Sequence, residues 1–151
     1  MTLKYTNILV AVDGSKEAEW AFKKAAGIAG RNNATLNIAY VIDNRSYGSI
    51  EAYDKTIADE AKVFGTDLVE SYKKEALEAG APQVNAIVDY GSPKTYIPGE
   101  LAEKHNVDLI ICGATGLNAA ERFIIGSVSE RIVRNAKCDV LVVRTEEPEE
   151  V

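Results

Sequence analysis

The residues best suited to chemistry are Gly113-Ala114-Thr115-Gly116 and, after nine intervening residues, Gly126-Ser127. They lie between an apolar run, 108–112, and a helix-like segment, 128–136. Glycine lets backbone N–H groups approach an anion closely, and a helix start adds unpaired donors and partial positive charge. The pattern suits a phosphate, so a nucleotide is the first candidate ligand. No Lys-Ser/Thr pair follows the second glycine, so this is not a P-loop. Nor is it the Gly-x-Gly-x-x-Gly dinucleotide fingerprint, because the first turn, Asp13-Gly14-Ser15, holds a single glycine. The plainer alternative is a connection in which the glycines only turn the chain. Against it, the spacing brackets an apolar stretch, Phe123-Ile124-Ile125, that would pack. Ser127-Val128-Ser129-Glu130 also has the capping-box pattern, which places the helix start at Ser127 and occupies its hydroxyl.

Other candidates are weaker. A carboxylate such as Asp13 can accept hydrogen bonds from ribose hydroxyls or an exocyclic amine, and it can also cap the helix that follows. His105 is the only histidine, so no histidine pair exists for a metal, and its place near a helix C-terminus suits a half-buried, non-catalytic role. Cys112 reads as a buried strand residue, Trp20 as a rim or half-buried one, and Arg122 as a loop charge within reach of a phosphate or simply solvated.

These residues need elements to hold them. Residues 7–12 form a continuous apolar run, which suits a strand buried on both faces of a parallel sheet. Ala18, Ala21, Phe22, Ala25, Ile28 and Ala29 follow at helical spacing. A strand over 35–42 and a polar loop over 43–49 come next. A long helix over 50–79 follows, with Ile57, Ala61, Phe64, Leu68 and Tyr72 as its inward stripe. Strands at 84–88, 109–112 and 140–143 complete the pattern. A helix begins at Ser92-Pro93, with Pro98-Gly99 expected to kink it, and another spans 128–136 with Val128, Ile132, Val133 and Ala136 inward. The alternation predicts an α/β fold: five parallel strands, helices on both faces and right-handed crossovers. In such sheets ligands bind beyond the carboxyl ends of the strands where the strand order reverses. Asp13, Val41 and the glycine loop converge there if the first and fourth strands are neighbours.

The 151 residues suffice for one domain with a real core, read as 1–145 followed by an acidic tail at 146–151. The formal charge is 17 − 23 = −6, a poor match to a nucleic-acid backbone or an anionic membrane. The start of the chain lacks a signal-peptide pattern and no apolar run approaches ~20 residues. Two cysteines, Cys112 and Cys138, expected at opposite ends of the sheet, do not form a disulfide framework. The expected compartment is the cytoplasm.

The Gly113-x-x-Gly116 and Gly126-Ser127 spacing resembles the ATP-binding signature of the universal stress protein family. The opening Ile8-Leu9-Val10-Ala11-Val12-Asp13-Gly14-Ser15 and the closing Cys138-Asp139-Val140-Leu141-Val142-Val143-Arg144 are similar to that family as well. The resemblance implies a Rossmann-like fold that binds an adenine nucleotide (ATP, ADP or AMP), with Mg²⁺ or Mn²⁺ as a companion of the phosphates. It implies Asp13 near adenine and ribose, Ala11 and Val41 walling the base, and Gly113 against the nucleoside. Gly116, Gly126, Ser127, Val128 and Ser129 would cradle the phosphates. It also implies a homodimer joined through the last strand, which begins at Val140 and ends at Val143. Without a P-loop lysine or an evident base, slow or absent hydrolysis and a regulatory role are expected, with occupancy ordering the 117–125 loop and an unknown protein partner reading the change. Two alternatives stand beside this reading. One is a nucleotide-dependent transferase or phosphatase acting through Asp13 or Ser127; the other is a nucleotide-free dimer working by protein contacts.

Overall fold

A computed structural model describes residues 4–43, 51–114 and 125–144, with backbone alone for 51–56. The elements alternate as expected. Strand β1 (Asn7–Ala11) leads to helix α1 (Lys16–Asn32), β2 (Thr35–Ile42) to α2 (Glu51–Glu78), and β3 (Gln83–Tyr90) to α3 (Pro93–Tyr96). A π-helical turn (Ile97–Leu101) and α4 (Ala102–Lys104) continue from α3. Then come β4 (Leu109–Gly113), α5 (Ser127–Asn135) and β5 (Asp139–Val143). All strand pairings are parallel, and the order β3-β2-β1-β4-β5 puts β1 and β4 side by side at the centre. Among the described residues no helix is long and apolar enough to cross a membrane.

Two apolar clusters cover the two faces of the sheet. Ile8, Val10, Leu36, Ile38 and Ile111 pack with Phe22 of α1 and with Val69, Tyr72 and Ala76 of α2. The Phe22 and Tyr72 rings stack at 4.2 Å. Leu9, Ala39, Ile110 and Cys112 pack on the other face with Ile97, Leu101 and Ile132. Neighbours in β1 and β4 alternate between the clusters, which is why the sequence there is continuously apolar.

Two details depart from the sequence reading, and a third refines it. On α2 the buried positions are Gly65, Val69, Tyr72 and Ala76, while Phe64 is 51% exposed. The cause is Gly65, whose missing side chain leaves room for the Tyr40 ring, so that α2 lies close against β2. Residues at steps of four, three and four from Gly65 then face inward. On α5, Ser129 is buried and Val133 is 49% exposed, the reverse of their polarity. The Ser129 hydroxyl turns inward because it donates to the carbonyl of Gly113 at 2.5 Å. Finally, the distortion expected at Pro98-Gly99 takes the form of a π-helical turn, with the chain helical on either side. Lacking an N–H, Pro98 sits buried in this turn, whose wider spacing accommodates the missing donor and keeps both Ile97 and Leu101 in the core.

The amino ends of the strands are tied by side chains. Asp108 accepts from the Thr6 N–H and hydroxyl through Oδ2 (2.8 and 3.0 Å) and from the Asn7 N–H through Oδ1 (3.0 Å). Tyr5 donates to Asp139 at 2.7 Å across the same end.

Candidate functional site

The opposite, carboxyl end is where the candidate residues gather. The β1–β2 register, carried two residues past Ala11↔Ala39, brings Asp13 level with Val41. The β1–β4 register, carried three past Val10↔Ile111, brings Asp13 level with Ala114. Ala11 and Val41 are both half-buried against the α3/α5 face, and Asp13 is exposed at the rim. The strand order thus juxtaposes Ala11, Asp13, Val41 and Gly113 at the point where it reverses.

Asp13 is not the cap of α1. Ser15 is, its Oγ accepting from Ala18 N–H at 3.2 Å. Asp13 Oδ1 instead accepts from Ser15 N–H at 2.9 Å, closing the turn through Gly14, whose φ of +87° suits glycine. Among the described residues Oδ2 has no hydrogen-bond partner.

Gly113 has a packing reason of its own. A Cβ there would come within 2.9 Å of the Glu17 backbone, so the start of α1 presses directly on β4. Its carbonyl receives the Ser129 hydroxyl. Beyond it, Ala114 donates to the Val143 carbonyl at 3.0 Å and accepts from Gly126 N–H at 2.7 Å, which pins the return of the chain beside its departure. Gly126 is the N-cap of α5, and no side chain caps that helix. The capping-box expectation is therefore corrected: Ser127 stands one residue inside the helix, exposed, and its hydroxyl is not spent on the cap. The N–H groups of Ser127, Val128 and Ser129 occupy the first turn, where an α-helix has no internal acceptors. Phosphate oxygens suit such donors. Thr115, Gly116, Arg122 and the loop segment 117–124 lie outside the described residues, as do the tail residues 146–151.

Side chains that the sequence did not single out border this end. Asp89, in register with Val41, accepts from the Tyr96 hydroxyl at 2.7 Å, and this bond, with burial, pushes the Tyr96 phenol up to about 12. Lys94 and Arg131 line a cleft with Ser127. The Ser92-Pro93 helix start was a legible signal for where Lys94 stands, but its closeness to α5 depends on long-range packing. Cys112 and Cys138 are free thiols, and burial pushes Cys112 up to about 11. Trp20 is half-buried against the α1/α2 cluster, and His105, half-buried, ends α4.

The sequence profile of the universal stress protein family matches residues 4–144. A Staphylococcus aureus (strain USA300) protein named as a universal stress protein is 56% identical over 145 residues, covering 96% of this chain and 87% of that one. Among solved structures, universal stress protein UspA from Lactobacillus plantarum superposes with a TM-score of 0.88 at 34% identity, covering 94% of this chain and 99% of that one. A universal stress protein in complex with cAMP matches with a TM-score of 0.69 at 27% identity, covering 93% and 98%.

Proposed function

The chain belongs to the universal stress protein family, and from that premise we propose that it binds an adenine nucleotide, ATP foremost, and acts through occupancy rather than turnover. The observation that carries this reading is the juxtaposition of Asp13 and Val41 with the uncapped first turn of α5 at one switch point. Val41 and Ala11 offer the base an apolar wall, and Asp13 Oδ2 offers an acceptor to the ribose or the base amine. The N–H groups of residues 127–129 receive the phosphates, with Gly126 leaving room for close approach. The relative solved with cAMP supports an adenine nucleotide as the ligand class.

Slow or absent hydrolysis is part of this reading, and two described groups support it. The Ser129 hydroxyl gives its proton to Gly113, and Asp13 spends one oxygen on its own turn. Ser129 is therefore no base for water, and in this reading the second oxygen of Asp13 is taken by the ribose or the base amine. Mg²⁺ or Mn²⁺ would accompany the phosphates.

The protein is proposed to be a cytoplasmic homodimer joined through β5, the edge of the sheet. Val143 directs its carbonyl to Ala114, so by strand alternation Val142 and Val140 direct their N–H and C=O groups away from β4. Pairing of that open edge with its symmetry mate would satisfy them.

The test is to denature the purified protein, identify any small molecule released, and titrate the emptied protein with ATP, ADP, AMP and cAMP. Release or micromolar binding of an adenine nucleotide is expected. No released nucleotide together with no binding would refute the proposal.

A further inference from the structure

We propose that Lys94 and Arg131 form a polyphosphate-reading wall beside the α5 cradle, which makes the site select ATP over AMP. This rests on the adenine-nucleotide reading above and extends it to two residues outside the glycine signature. Lys94 reaches from the start of α3 into a cleft of about 220 Å³ whose other walls are Ser127, Glu130, Arg131 and Arg134 of α5. A liquid water occupies ~30 Å³, so the cleft holds several waters, and a phosphoryl group can take their place.

Ser127, Glu130, Arg131 and Arg134 recur at steps of three and four and share one face of the helix. Ser127 is also the first residue of the proposed phosphate cradle, so the cleft begins where that cradle ends.

The charges are unbalanced. Three cations face one carboxylate, and that carboxylate, Glu130, is already bridged to Arg134 at 2.8 Å. Among the described residues neither Lys94 nor Arg131 has an ion-pair partner. Two cations lining one cleft with Ser127, the first residue of α5, on a chain of net charge −6, attract a ligand with more than one negative charge. Lys94 is half-buried, which limits solvent screening of its charge. A nucleoside monophosphate is held at the cradle alone. The second and third phosphates of ATP extend along the exposed face of α5 to the two cations.

The experiment is calorimetric titration of ATP and AMP into the wild type, Lys94→Gln and Arg131→Gln, at two salt concentrations. Each substitution is expected to weaken ATP binding about tenfold to a hundredfold, the worth of a hydrogen bond to a charged group, and AMP binding by less than about threefold. Lys94→Arg should keep the preference for ATP, and added salt should narrow it. Thermal melts of each variant establish that it is folded. An unchanged ATP-to-AMP ratio in both Gln variants, or equal losses for the two nucleotides, overturns this inference and leaves the adenine-nucleotide reading standing. A wild type that binds neither nucleotide overturns both.

Discussion

Two serines two residues apart on α5 should separate binding from stability. The Ser129 hydroxyl is buried and lies 2.5 Å from the Gly113 carbonyl, which can only accept. Its single proton is therefore committed, and only the backbone N–H of Ser129 remains for a phosphate. Ser129→Ala leaves a carbonyl at the end of β4 without that donor. A lost buried partner costs about 1–3 kcal/mol. At about 2 kcal/mol, and 2–4 °C per kcal/mol for a chain of this size, the melting midpoint should fall roughly 4–8 °C. ATP affinity should stay within about threefold. Ser127→Ala should do the reverse. The residue is exposed and is not the cap, so stability should move by no more than ~0.5 kcal/mol, whereas a true N-cap serine would cost ~1 kcal/mol. Its hydroxyl is available to a phosphate, and losing a bond to a charged oxygen weakens ATP binding by about tenfold or more. Differential scanning calorimetry and ATP titration on both variants read the two effects. If Ser129→Ala loses affinity as strongly as Ser127→Ala while melting like the wild type, the assignment of its proton to Gly113 is wrong.

Val142→Pro removes an N–H that points away from β4, so it should yield a monomer by light scattering with an intact circular dichroism spectrum. A variant that stays dimeric with that spectrum unchanged excludes β5 as the contact. The Tyr96 phenol, raised to about 12 by Asp89, stabilises the fold fully below about pH 10, and this contribution disappears as the pH rises through about 12. The difference in ultraviolet titration between wild type and Tyr96→Phe should show a transition near 12, and Asp89→Asn should bring it back toward 10; no movement in Asp89→Asn sinks the attribution. With Cys112 at about 11, roughly one thiol in a thousand is ionised at pH 8. A thiol reagent should therefore label only Cys138 readily in the native protein and both cysteines after denaturation. Equal native labelling rates would contradict the burial of Cys112.

The strands and their parallel order were legible because continuous apolar runs between helical periods admit few other arrangements. The meeting of Asp13 with Gly113 was legible only on the condition that the first and fourth strands are neighbours, which the strand order β3-β2-β1-β4-β5 meets. Face assignments were harder. Phe64 and Val133 are apolar at plausible inward spacings, yet both are half-exposed. What decides each face is a contact between distant residues: Gly65 with the Tyr40 ring, and Ser129 with the Gly113 carbonyl. A glycine inside a helix was the available hint for the first, and a serine two residues past the expected cap for the second. Ser92-Pro93 marked the helix start that carries Lys94, but nothing local signalled that Lys94 and Arg131 meet, since their proximity depends on α3 and α5 packing on one face of the sheet.

The carboxylate of Asp108 gives the sheet an asymmetry in time as well as in space. It fastens the first amides of β1 to the segment leading into β4, while the other end of β1 runs out into the Asp13 turn. Transient openings of the central strands should start at the carboxyl end and die out before reaching Thr6 and Asn7. Amide hydrogen exchange would then be graded along β1, fastest near Ala11 and slowest near Asn7. A ligand seated at the carboxyl end would add contacts at the end of β1 that Asp108 does not fasten, so a small molecule at the rim should slow exchange along β1 beyond the residues it touches.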